Sequence, residues 1–328
     1  MTNKIPLKIR FLSSFSLLIA VVLIFLLLFF VYTIWDILFY ILLGALIIGF
    51  LYRLIHQERG IVLMESDAPK LFNMVNSVSK SLGMNSPKKI ILTPSSSIGV
   101  AGIWERKLLI GMGVLHMLTE KEIYSILFHE FAHFKGADNV IGSSMMLTTM
   151  SLRDIVTATS YLHFIVFLPF LIFYYIFASL TLLYSRQREY LADYIASSFV
   201  GGMIFGESLE NYVKVSVEFD SKIDFIIRHY ASQNLALKNI YDAYRKVGFT
   251  GFNEQFEANV TKNVKNALEK SSILSTHPST SSRIKRVKEI KGSLSHLPKG
   301  RTSDLFTNFE KQEIEMTDLV YSKIVKKK

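Results

Sequence analysis

Three features of the 328-residue sequence predict a mainly α-helical integral membrane protein, in which a transmembrane helical hairpin precedes a zincin-type domain carrying a small β-meander. Residues 11–54 are almost uninterrupted apolar residues, broken only near residues 33–36. His129-Glu130-Phe131-Ala132-His133 is an H-E-x-x-H sequence in a segment with helical spacing. Upstream of it, three short β-branched or apolar runs are separated by Pro94-Ser95-Ser96-Ser97 and Trp104-Glu105-Arg106.

The apolar run is too long for one crossing and suits two. As helices, residues 11–34 would span ~36 Å and 37–54 ~27 Å, against ~30 Å of hydrocarbon. Lys4, Lys8 and Arg10 precede the first span, and Arg53, Arg59 and Lys70 follow the second. Only Asp36 lies between them. Positive flanks at both outer ends put the N-terminus, residues 1–10, in the cytoplasm together with everything after the hairpin at 11–55. The expected setting is therefore a cell membrane, multi-pass, with a bacterial source. A net charge of +10 then reflects topology and anionic lipid. No interleaving of aromatic and basic residues points to nucleic acid. There is no cysteine, which excludes disulfides and thiolate zinc ligands, so a metal must be held by histidine and carboxylate.

Past the hairpin, Leu71, Met74, Val75, Val78 and Leu82 have helical spacing, and the helix they define stops at Gly83. Strands are expected at 89–93, 98–103 and 107–110. Thr119-Glu120-Lys121-Glu122 is a capping box that opens the next helix, which runs through the H-E-x-x-H to Gly136. Residues 161–184 are apolar enough to span a membrane, whereas 140–158 are more mixed and contain Arg153-Asp154. Segment 139–185 is expected either to form a second hairpin turning near 157–162 or to lie as a helical pair against the membrane or over the site. Residues 185–248 read as amphipathic helix, and 249–274 continue similarly. The catalytic domain is expected over 60–300, followed by a polar, solvated tail at 301–328.

Histidines at i and i+4 share one helical face, so His129 and His133 can bind a single zinc ion. Coordination brings the pKa of a bound water to about 7, and Glu130 lies where it can take that water's proton. A catalytic zinc keeps three protein ligands and one open position. Glu189, heading Glu189-Tyr190-Leu191-Ala192-Asp193, is the candidate third ligand. Asp193, one turn on, can orient a neighbour.

These motifs together resemble the HtpX and CAAX-prenyl-protease family of membrane zinc endopeptidases. Asp138 matches the acidic residue of that family's H-E-x-x-H-x-x-x-x-D pattern. Ser275-Thr276-His277-Pro278-Ser279 with Arg283-Ile284 resembles its S-T-H-P-x-x-x-x-R-I block. The resemblance implies one zinc per chain on His129, His133 and Glu189, with Glu130 as general base. It implies that His277 and Arg283 stand near the oxyanion, or that His277 occupies the open metal position in a resting state. Asp138 and Asp193 then support the metal site, Asp193 steadying either a zinc-binding histidine or Arg283. The family's strand-edge Asn-Ala pair is missing. The corresponding stretch is Ile98-Gly99-Val100-Ala101-Gly102, which can still pair with a substrate through main-chain groups.

The expected activity is endoproteolysis of membrane or membrane-associated polypeptides, as in protein quality control. The alternatives are dedicated processing of a lipopeptide or signalling peptide, and a non-catalytic zinc-binding membrane scaffold. No oligomeric state is signalled. His56, His116, His163, His229 and His296 are expected to be surface or packing residues.

Overall fold

The structure, a computed structural model, describes residues 60–101, 105–134, 138–160, 164–233, 235–247, 252–269 and 278–325, with scattered positions between 18 and 47. The hairpin expected at 11–55 lies largely outside the described residues. The chain divides into two compact units. The first holds residues 1–58, 136–191 and 272–278, and the second holds 59–135, 192–271 and 279–328.

In the first unit the described chain is helical. Helix α4 (Asp138–Thr159) and the greater part of α5 (Phe164–Val200) belong to it, and the break between them falls where a turn was expected. Met145 and Leu152 of α4 and Phe170, Phe173, Phe177 and Tyr184 of α5 are buried. The Thr149 and Thr181 hydroxyls, 2.9 Å apart, tie the two helices together. Arg153 and Asp154 pair with each other at 3.6 Å and both remain exposed. Among the described residues no helix is long and apolar enough to cross a membrane.

The second unit is built on a four-stranded mixed sheet of order β1-β2-β4-β3. Its strands are β1 (Ile61–Leu63), β2 (Lys89–Thr93), β3 (Ile98–Ala101) and β4 (Lys107–Gly111). The expected meander is corrected in two respects. A fourth strand, β1, pairs antiparallel with β2, and β2 runs parallel to β4, Lys89 opposite Lys107. The segment Pro94-Ser95-Ser96-Ser97 therefore carries the chain past β4 to its far side, where β3 forms the edge in antiparallel register, Ile98 opposite Ile110. A Cβ on Gly111 would overlap the Ser95 carbonyl, so only glycine allows this tight passage. Strand β2 is buried from Ile90 to Thr93 because helices cover the central strands.

Helix α1 (Pro69–Leu82) buries Leu71, Met74, Val75, Val78 and Leu82 against α3 (Glu120–Ala132) and ends at Gly83 with φ 67°, the left-handed cap that its sequence predicts. A short α2 (Met112–Met117) links β4 to α3. Helix α6 (Gly202–Ser232) is the hub, packing against α2, α3, α7 (Ile240–Val247), α8 (Glu254–Glu269) and α9 (Thr280–Val287). The polar tail expected at 301–328 is instead a 3₁₀ turn (Thr302–Leu305) and helix α10 (Phe309–Val325), with Gln312, Glu313, Met316 and Thr317 buried.

Candidate metal centre

Helix α3 starts on the expected capping box. The Thr119 hydroxyl accepts from the Glu122 N–H at 3.4 Å, and Glu122 Oε2 accepts from the Thr119 N–H at 2.8 Å. The regular helix ends at Ala132, four residues before the expected Gly136. His133 is its C-cap, still in right-handed helical conformation at φ −64°, ψ −23°. The i, i+4 relation of the two histidines survives this early end. Ile123, Leu127, Phe128 and Phe131 are fully buried, which fixes the rotation of the helix about its axis. His129 is buried, its ring stacked on Phe205, while His133 is half-buried.

The two Nε2 atoms lie 3.3 Å apart. Two nitrogens bound to one tetrahedral zinc at 2.0–2.1 Å are separated by about 3.3 Å, so the pair is already spaced as ligands. Glu189, buried on α5, completes a group with His129 and His133 in which one ligand atom from each lies within 4.8 Å of the others. Two imidazoles and a carboxylate are the donor set of a catalytic zinc site, and the residues present fit that ion.

Asp193 sits one turn beyond Glu189 and is fully buried. Its Oδ1 lies 3.0 Å from His129 Nδ1, a contact that favours the proton on Nδ1 and the lone pair on Nε2, the atom that faces His133. Arg283 grips the same carboxylate through two hydrogen bonds, Nε to Oδ2 at 2.9 Å and Nη2 to Oδ1 at 2.7 Å, and Nη2 also stands 3.3 Å from His129 Nε2. Burial would raise the Asp193 carboxyl, but the hydrogen bonds and charge of Arg283, followed by those of His129, outweigh it and hold it below the usual carboxylate range. Arg283, expected near the oxyanion, is thus held beside both Asp193 and His129.

Helix α9 brings Arg283 in. Ser279 caps it by accepting from the Ser282 N–H. A Cβ on Gly202 would overlap the Val287 carbonyl, and one on Gly206 would press on Ile284 at 3.0 Å. Two glycines one turn apart on α6 thus let α9 lie close against it. Past α9, Ser293 and Leu294 donate to the Ser198 and Phe199 carbonyls at the end of α5, both at 3.0 Å.

Of the remaining expected residues, Asp138 opens helix α4 and His277 lies outside the described residues. Tyr212, on α6, was missed by sequence reasoning. Burial and then the nearby Glu130 charge push its hydroxyl above the ordinary tyrosine range. A tyrosine inside an amphipathic helix carries no sequence signal of such a placement.

Residues 65–291 match peptidase family M48. The chain belongs to this family. The resemblance to HtpX and CAAX-prenyl proteases read from the motifs is thereby borne out, and M48 peptidases are zinc metalloproteases. A curated relative, the protease HtpX homolog of Methanothermobacter thermautotrophicus, is 29% identical over 170 residues, which cover 48% of this chain and 65% of the relative. The crystal structure of S. mikatae Ste24p aligns with 15% identity and a TM-score of 0.35 over 87% of this chain and 67% of that one.

Proposed function

We propose that this M48 protein is a zinc-dependent endopeptidase acting on membrane or membrane-associated polypeptides, with general protein quality control as its role. The observation that carries the reading is the convergence of His129, His133 and Glu189, with Glu130 beside the first histidine and Asp193 fixing that histidine's tautomer. Bound there, zinc would supply Lewis acidity and bring the pKa of a water to about 7.

The chain's own residues do the rest. Asp193 holds the His129 ring by Nδ1, and Arg283 holds Asp193. Glu130 accepts the proton of the attacking water, whose oxygen bonds to the scissile carbonyl carbon. As the C–N bond breaks, Glu130 passes that proton to the departing amine nitrogen. General-base catalysis of this kind contributes about 10² to 10⁴-fold. One zinc per chain, His277 and Arg283 near the developing oxyanion, and Asp138 in support of the site belong to the same proposal.

Attachment to a membrane is supported by the apolar run at 11–54 and by an exposed stripe on α5. Ile172, Tyr175, Ile176 and Leu183 lie within one helical face and are each about half exposed. The positive flanks support a cytoplasmic site.

The test is proteolysis by the purified full chain and by Glu130→Gln, with zinc content measured on both. The expected outcome is full zinc retention by the variant with cleavage reduced at least ~100-fold. Near-normal cleavage by Glu130→Gln removes the assigned base. Absence of any wild-type cleavage despite bound zinc favours the non-catalytic scaffold.

A further inference from the structure

Strand β3 is the open edge of the sheet, and its main-chain groups alternate in direction. Ser97 lies opposite Gly111 and accepts from its N–H at 2.7 Å, so Ser97 and Gly99 point inward to β4 while Ile98 and Val100 point outward. The outward groups of Ile98 are taken by one side chain. Its N–H donates to the Tyr212 hydroxyl at 3.0 Å, and that hydroxyl lies 3.5 Å from its carbonyl oxygen, within reach to donate back. The same face of α6 continues the cover one turn at a time. Ser216 Oγ lies 3.4 Å from the Ser96 carbonyl, and Asp220 accepts from the Ser96 N–H. The outward N–H and C=O of Val100 have no partner among the described residues. Beside it, a Cβ on Gly99 would meet nothing within 4 Å, so the sheet face next to Val100 is open.

We propose that Tyr212 sets substrate specificity by closing the β3 edge at Ile98, so that an extended polypeptide substrate can add as a strand only from Val100 onward. This rests on the endopeptidase reading above. Tyr212 occupies both outward groups of Ile98 and its hydroxyl feels the Glu130 charge, so the closed position and the general base share one neighbourhood. Main-chain pairing is therefore confined to one flank of the scissile bond, and on the other flank recognition rests on side chains.

The proposal is tested with a peptide that the wild type cleaves, synthesised as a series carrying one backbone N-methyl group at a time. Each N-methyl deletes one donor to the edge. In the wild type, KM is expected to rise about 5-fold, the effect of one hydrogen bond, at positions on one flank only. In Tyr212→Ala a further sensitive position is expected two residues along, toward the opposite flank, where the guest strand now reaches Ile98. A role for Tyr212 in packing alone would change rates without moving this pattern. Sensitivity on both flanks in the wild type, or the same pattern in both proteins, overturns the proposal. Amide hydrogen exchange keeps the test independent of cleavage and of the folding of the alanine variant. The Ile98 amide is expected to exchange slowly in the wild type and at least ~5-fold faster in Tyr212→Phe, which keeps the ring. Unchanged exchange in that variant shows that the hydroxyl does not hold the edge. If the wild type cleaves no peptide, the endopeptidase reading fails, while the exchange result still decides whether Tyr212 closes the strand.

Discussion

At the level of single residues, the site depends on which nitrogen of His129 carries the proton. Asp193, 3.0 Å from Nδ1, favours the proton there, and Arg283 keeps Asp193 ionised and in place. Asp193→Asn is therefore expected to fold yet to bind zinc about 10- to 100-fold more weakly, because the amide can present its N–H to the ring and favour the wrong tautomer. Zinc competition against a chelator checks this, and unchanged affinity would mean that Asp193 does not orient the histidine. The H-E-x-x-H was legible in the sequence because both histidines lie within one helical turn of each other. Asp193 was legible one turn beyond Glu189, whereas its pairing with Arg283, 90 residues away, is made by packing and came only through the family resemblance. Tyr212 and Ile98 are 114 residues apart and neither carries a motif, so nothing short of the fold could pair them.

Elements were legible wherever their ends are built from local chemistry. The Thr119 capping box and the Gly83 cap are such cases, since each uses contacts within a few residues. Strand β1 escaped because three residues are too few to show alternation, and the parallel pairing of β2 with β4 escaped because strand order is a non-local property. The close packing of α9 on α6 gives a prediction at this scale. Gly202→Ala places a methyl group into the Val287 carbonyl, so α9 must move and carry Arg283 with it. The expected result is a loss of roughly 1–3 kcal/mol in stability together with weakened zinc binding, although Gly202 touches no ligand. Denaturant unfolding alongside zinc titration measures both. A destabilised variant with normal zinc affinity would separate the helix packing from the site.

Across the whole molecule, the largest departure from the sequence reading is the C-terminal segment. It reads as polar because its apolar positions are few, yet Glu313 on α10 is buried in a network drawn from distant parts of the chain. Arg245 of α7 grips its carboxylate through both terminal nitrogens, Asn239 donates at 2.7 Å, and His116 of α2 lies 3.2 Å away. The His116 ring lies nearly parallel to those of Phe219 and Tyr241, with centroids 6.3 and 5.1 Å away. Burial lowers its pKa from 6.5 to about 4, against the opposing pull of Glu313. The folded protein therefore holds His116 neutral, and between pH 6.5 and about 4 the unfolded chain binds more protons than the folded one. Stability is thus expected to fall as the pH drops through this window, by up to about 3 kcal/mol from this group. Thermal unfolding of the wild type and His116→Phe across that range reads the effect. The phenylalanine keeps the stack and is expected to flatten the slope, and an equal slope in both proteins would assign the pH dependence elsewhere.

The central claim is that His129, His133 and Glu189 together hold one zinc ion. Metal content and affinity of the purified full chain, measured by chelator competition for the wild type and Glu189→Ala, test it most directly. The account predicts one zinc per wild-type chain and an affinity lower by at least ~100-fold in Glu189→Ala, since removing a ligand exceeds the cost of disturbing its support. An unchanged stoichiometry and affinity in Glu189→Ala would contradict it, because the metal would then be held without the third residue on which the assembled site depends.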